Sequence, residues 1–76
     1  MSRMFYMHYE SRCKREGHLD PIWSGHLQKI LVPEDVKPAD CANNILREMT
    51  RHQNKVNRLQ GINCSIQHRL VGLEEG

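Results

Sequence analysis

"PADCANNILREMTRHQNKVNRLQG", Pro38 to Gly61, is the stretch whose reading decides the fold. Pro38 suits a first helical turn, because its missing N–H would have no helical partner there. Asp40 places negative charge near the positive end of the helix dipole, and Gly61 offers a left-handed cap without steric penalty. The spacing therefore predicts one helix from Pro38 to about Gln60. At about 100° per residue, Ala42, Ile45, Leu46, Met49, Val56 and Leu59 share an arc of roughly 140°. Arg47, Arg51, Lys55 and Arg58 share one of roughly 80°, centred nearly opposite. An apolar side should therefore rest on a sheet while a basic stripe faces away from it. His52 fills the gap in the series Ile45, Met49, Val56 and Leu59, so it is expected at the sheet margin as a satisfied, semi-buried histidine.

After the helix, "INCSIQHRLV" (Ile62 to Val71) alternates apolar and polar residues and reads as a strand with one wet face. The closing "GLEEG" is expected to fray. Before the helix, "PEDVKPAD" (Pro33 to Asp40) is a hinge whose prolines stop a strand, "HLQKILV" (His26 to Val32). "MFYMHYES" (Met4 to Ser11) is aromatic-rich and reads as another strand. Phe5, Met7 and Tyr9 lie on one of its faces and Met4, Tyr6 and His8 on the other, so it should be central or covered by a partner. "CKREGHLDP" (Cys13 to Pro21) reads as a long polar loop joining the two strands, which then pair antiparallel. The expected fold is a small single α+β domain over residues 1–76, ordered over 3–72, in strand-strand-helix-strand order. Its mostly antiparallel three-stranded sheet carries one amphipathic helix on one face.

Composition limits the function. A chain of 76 residues buries only about 60 to 65% of its unfolded surface, which leaves little room for a deep cleft. The net charge of +2, from 11 Lys and Arg against 9 Asp and Glu, is far below that of a histone-like protein. Any case for nucleic acid must therefore rest on local clustering. Cys13, Cys41 and Cys64 are odd in number with no close pair, so reduced thiols in a cytoplasm are expected, with Cys41 and Cys64 as small core residues. No apolar run has the length of a signal peptide core or a membrane span.

Catalytic and metal chemistry find little support. Glu16, His18 and Asp20 sit close together in the first loop, but proximity in a loop is not preorganisation. No nucleotide loop, nucleophile elbow or other cofactor fingerprint is present. Five histidines and three cysteines could ligate zinc, yet the spacing from Cys13 through His18 and His26 to Cys41 fits no common finger or knuckle. A zinc-binding module is therefore a third reading, with no metal ligands assigned.

The basic stripe carries the remaining expectation. Four cations one turn apart could neutralise phosphates, with Asn44 and Asn54 beside them as hydrogen-bonding groups. No aromatic flanks the stripe, and Phe5, Tyr6 and Tyr9, which could imitate an RNA-stacking sheet, are better explained as core. The leading reading is a non-enzymatic protein-binding module that docks on an acidic partner surface. Its class would be the small inhibitors or adaptors that phage and mobile elements turn against host defence, anti-CRISPR proteins among them, acting in a host cytoplasm. The expected contacts are Arg47, Arg51, Lys55 and Arg58, joined by Arg12, Lys14 and Arg15 of the first loop, with Trp23 as an anchor if exposed. A free sheet edge could also pair with a second copy to form a homodimer.

Overall fold

A computed structural model describes residues 1–76. Its elements are β1 (Ser2–Lys14), β2 (Ser24–Pro33), α1 (Pro38–Leu59) and β3 (Ser65–Glu75). The strands form one antiparallel sheet in the order β2-β1-β3, so the strand with bulky groups on both faces is the central one. Phe5 and Met7 are buried beneath α1, and Tyr9 packs beside them. By alternation Met4, Tyr6 and His8 stand on the opposite side.

Both outer boundaries of the strands extend beyond the sequence reading, and pairing is the reason. β1 continues through Cys13 and Lys14, expected in the loop, because Ile66 and Ser65 of β3 supply partners. The β1–β2 connection therefore begins only at Arg15. The "GLEEG" tail, expected to fray, continues β3 through Glu75, and the Gly76 N–H donates to the Met4 carbonyl at 3.0 Å. The register shifts between His8 and Tyr9, which pair with Gly72 and Leu70, so Val71 is the extra residue of a β-bulge. That insertion resets the alternation and returns Leu73 to the helix side, where it packs against the core.

The helix closes as its residues demand. Gly61, at φ +72°, follows the last turn in the left-handed conformation. The Ile62 N–H donates to the Asn57 carbonyl at 2.8 Å and the Gly61 N–H to Arg58 at 3.2 Å, the two bonds of a Schellman motif. This turn occupies Ile62 to Cys64, so β3 starts at Ser65 rather than at Ile62.

Ala42 and Leu46 of α1 close over Phe5, Met7, Ile30 and Val32, with Ile45, Met49, Leu70 and Leu73 around them. Further along, the helix leans on β3 far more than on β2, and the contact becomes polar. Thr50, Asn54 and Asn57, spaced i, i+4, i+7, turn toward β3. Asn54 takes the Ile66 N–H on its Oδ1 at 2.7 Å and donates its Nδ2 to the Ile66 carbonyl at 3.3 Å. Its amide thereby completes the outer edge of β3 as a neighbouring strand would. Turning this side down lifts the opposite shoulder of the helix. His52 is therefore exposed and not semi-buried, and Leu59, expected in the core, is 76% exposed.

Cys13 and Cys64 are joined in a disulfide, which corrects the expectation of reduced thiols and of Cys64 as a core residue. The 51-residue separation conceals their proximity in the sequence. Antiparallel pairing sets Cys13 opposite Ile66, two residues beyond Cys64, and leaves the cysteine Cα atoms 5.8 Å apart, within disulfide reach. Cys41 remains a free, half-buried thiol beside the core.

Only seven residues are buried in the whole chain. The radius of gyration, 14.2 Å, exceeds the ~11 Å of a compact chain this long, and the molecule is a slab of 45 × 24 × 15 Å. One helix covers part of one sheet face, and no helix or further strand covers the other. No helix is long and apolar enough to cross a membrane.

Candidate docking surface

Arg47, Arg51, Lys55 and Arg58 are all exposed on the outer side of α1, spread over about 16 Å at 1.5 Å per residue. Local partners engage two of them. Arg47 donates to Asn44 Oδ1 at 3.3 Å, and Arg51 meets Glu48 at 3.3 Å. Both members of the second pair are more than 60% exposed, so it holds Arg51 by only about 0.3–0.5 kcal/mol. Lys55 and Arg58 have no ion-pair partner. The stripe is thus a largely unneutralised row of cations.

The three loop cations part company. Arg12 lies on β1 with its side chain on the sheet face away from α1, only 19% exposed. It donates Nε to Gln67 Oε1 at 2.7 Å and lies 3.9 Å from Asp20. Lys14 shares Asp20 at 3.5 Å. Both belong to a cluster that fastens the first loop to the sheet, and neither extends the helix stripe. Arg15 differs: it lines a groove with Ile62 and Asn63, and those two residues also border the groove of Arg58 and Asn54. A basic margin therefore passes from Arg58 around the end of the molecule to Arg15.

Trp23 is neither a free anchor nor part of the core under α1. Its ring is held by the Arg12 and Arg69 guanidiniums, 4.3 and 4.2 Å from its centroid, and Arg69 in turn pairs with Glu10 at 2.7 Å. The other aromatics are equally committed. Phe5 is buried, and Tyr9 stacks on His26 at 5.1 Å with His68 at 5.8 Å. Tyr6 is half-buried on the opposite face. None lies beside the cations of α1, and Asn54, expected as a hydrogen-bonding flank of the stripe, spends its amide on β3.

A polar groove of about 530 Å³ runs between α1 and β3, lined by Asp40, Asn43, Arg47, Thr50 and His68 among others. The Thr50 hydroxyl donates to the Leu46 carbonyl at 2.7 Å, so the His68 Nδ1–H must donate to Thr50 Oγ1 at 2.7 Å. Burial, then the charge of His26, pushes the His68 pKa below its ordinary value, which favours this neutral tautomer. The hydroxyl spends its proton on the backbone and His68 faces it as a donor. The pair fastens β3 to α1 and does not form an activated nucleophile.

In the first loop, Asp20 turns to Arg12 and Lys14, away from any pairing with Glu16 and His18. Nowhere do three His, Cys, Asp or Glu side chains converge to hold a metal ion. The polar contacts that organise the structure, Thr50, Asn54 and Asn57 against β3, were not singled out as structural in the sequence. Their i, i+4, i+7 spacing was the available signal. Comparisons with family models, curated proteins and solved structures found no match.

Proposed function

We propose that this chain is a non-enzymatic binding module that docks on an acidic protein surface through the outer face of α1. The observation that carries the reading is the exposed row Arg47, Arg51, Lys55 and Arg58, in which Lys55 and Arg58 lack any counter-charge. Complementary charge would set association rate and register, and rim cations of this kind act mainly on the on-rate. Arg15 extends the contact around the end of the helix. The separation of every aromatic ring from the stripe supports a protein partner over single-stranded nucleic acid, which uses stacking beside cations. A small module of this design would act as an inhibitor or adaptor of the phage or mobile-element type, by covering an acidic site on its target.

Capture from nuclease-treated lysate, wild type against the double substitution Arg51→Glu and Arg58→Glu, tests the reading. Both residues are exposed, so the fold should survive. A protein that is captured stoichiometrically by the wild type and lost with the double variant supports it. Equal capture by both would remove α1 from the mechanism. Capture that vanishes with nuclease, with DNA or RNA retardation falling steeply as salt rises, would replace it with phosphate binding.

A further inference from the structure

The sheet face away from α1 divides into two halves. At the end of β1 nearest Lys14, Trp23 and its two arginines lie across it. The other half is open. Its rows follow from the strand register: Leu31 beside Met4, then Lys29, Tyr6 and Glu74, then Leu27, His8 and Gly72 with Val71 at the bulge. Leu27, Leu31 and Val71 are 60%, 67% and 62% exposed, side chains that a solvated sheet face would ordinarily make polar. We infer that a second copy of this chain docks here, face to face, about a two-fold axis parallel to the strands.

Within the open half, charge selects both the occupant and the axis. Lys29 and Glu74 flank Tyr6 in one row, at opposite margins of the sheet. A two-fold parallel to β1 lays β2 of one copy over β3 of the other at the same height. Lys29 then faces Glu74 of the second copy, twice over. A two-fold across the strands through Tyr6 would set lysine on lysine and glutamate on glutamate. Lys29 has no ion-pair partner within its own chain, and Glu74 reaches only His8, at 3.5 Å. Packed sheets lie about 10 Å apart with strands within about 30°, so a lysine can cover the remaining offset.

Size sets the expected strength. The broad side of the slab measures 45 × 24 Å, and its open half offers about 500 Å² in projection against the ~800 Å² that each partner gives to a standard stable interface, so the association is a weak, concentration-dependent one. A chain with seven buried residues also gains the second hydrophobic layer that domains this small commonly need. The β3 edge is a poorer route to the same end, because Asn54 already occupies the polar groups of Ile66. In the dimer the two α1 stripes face outward on opposite sides. Such a particle bridges two acidic surfaces instead of clamping one.

Sedimentation equilibrium on the full chain tests this independently of what the stripe binds. The expected mass approaches twice the 8.9 kDa of the chain as concentration rises through the micromolar range. Lys29→Glu and Glu74→Lys should each weaken association about tenfold, and their combination should restore it, since the reversed charges again meet across the axis. Leu31→Asp should hold the chain at monomer mass with unchanged circular dichroism. A wild-type chain that stays at 8.9 kDa up to high micromolar concentration overturns the inference. So does a dimer that tolerates both single reversals, which would point to association through the β2 edge.

Discussion

Replacing Cys64 by Ser opens the link between the far end of β1 and the turn that leads into β3. The disulfide closes a loop with a sequence separation of 51, for which chain entropy predicts a stabilisation of about 4 kcal/mol at 25 °C. That is a large share of what so small a core can supply, because six side chains make up the buried hydrophobic cluster. With about 4–8 °C per kcal/mol for a domain this size, Tm should fall by about 15–30 °C. Thermal unfolding followed by circular dichroism reads the change directly, in oxidised wild type, reduced wild type and Cys64→Ser. Cys13→Ser should match Cys64→Ser, and the double variant should cost no more than either, since all three remove one link. The reasoning fails if reductant and both variants leave Tm within about 2 °C of the oxidised protein, for then the cross-link constrains nothing the unfolded chain would explore.

The polar seam and the back-face cluster make further predictions. Asn57 is the one buried polar side chain and donates to the Cys64 carbonyl at 3.3 Å, so Asn57→Ala strands that carbonyl and should cost about 1–3 kcal/mol in urea unfolding. An unchanged urea midpoint would show that water replaces the amide. Trp23→Ala removes two partly buried cation–π contacts worth about 0.5–2 kcal/mol each and should accelerate proteolysis of the Arg15 to Ile22 loop; equal cleavage rates would refute its role as the loop's fastening. His68 has its pKa lowered from 6.5 by burial and then by His26. As pH falls below 6.5 the unfolded chain takes up this proton before the folded one, so stability present above that pH declines toward the lower folded value. In His68→Asn, whose amide can still donate to Thr50, the slope of stability between about pH 7 and pH 5 should flatten, and an unaltered slope would assign it to another group.

Much of this architecture was legible in the chain because short-range periodicity encodes it. Pro38 and Gly61 bracket the helix from sequence alone, since one lacks a donor and the other tolerates positive φ. The two bulky faces of β1 likewise announced a strand with neighbours on both sides. The exposed placement of Arg47, Arg51, Lys55 and Arg58 also followed from angular spacing. Where the reading failed, a distant partner had intervened. His52 and Leu59 lie on the expected arc, but the His68 ring and the backbone of Ile66 and Cys64 draw Thr50, Asn54 and Asn57 inward and leave these two turned outward. Val71 looks like one more alternating residue until pairing with β1 makes it a bulge, and only then does Leu73 become a core residue.

Local covalent preference and the 3.6- and 2-residue periods thus determined the elements, their order and the cationic face of α1. The meeting of Cys13 with Cys64 and of Trp23 with Arg12 and Arg69, and the placing of Lys29 and Glu74 on either side of Tyr6 in one row, were decided by tertiary structure alone. Those pairings depend on strand register, which is set jointly by residues dozens of positions apart and therefore leaves no trace in any single window of the sequence.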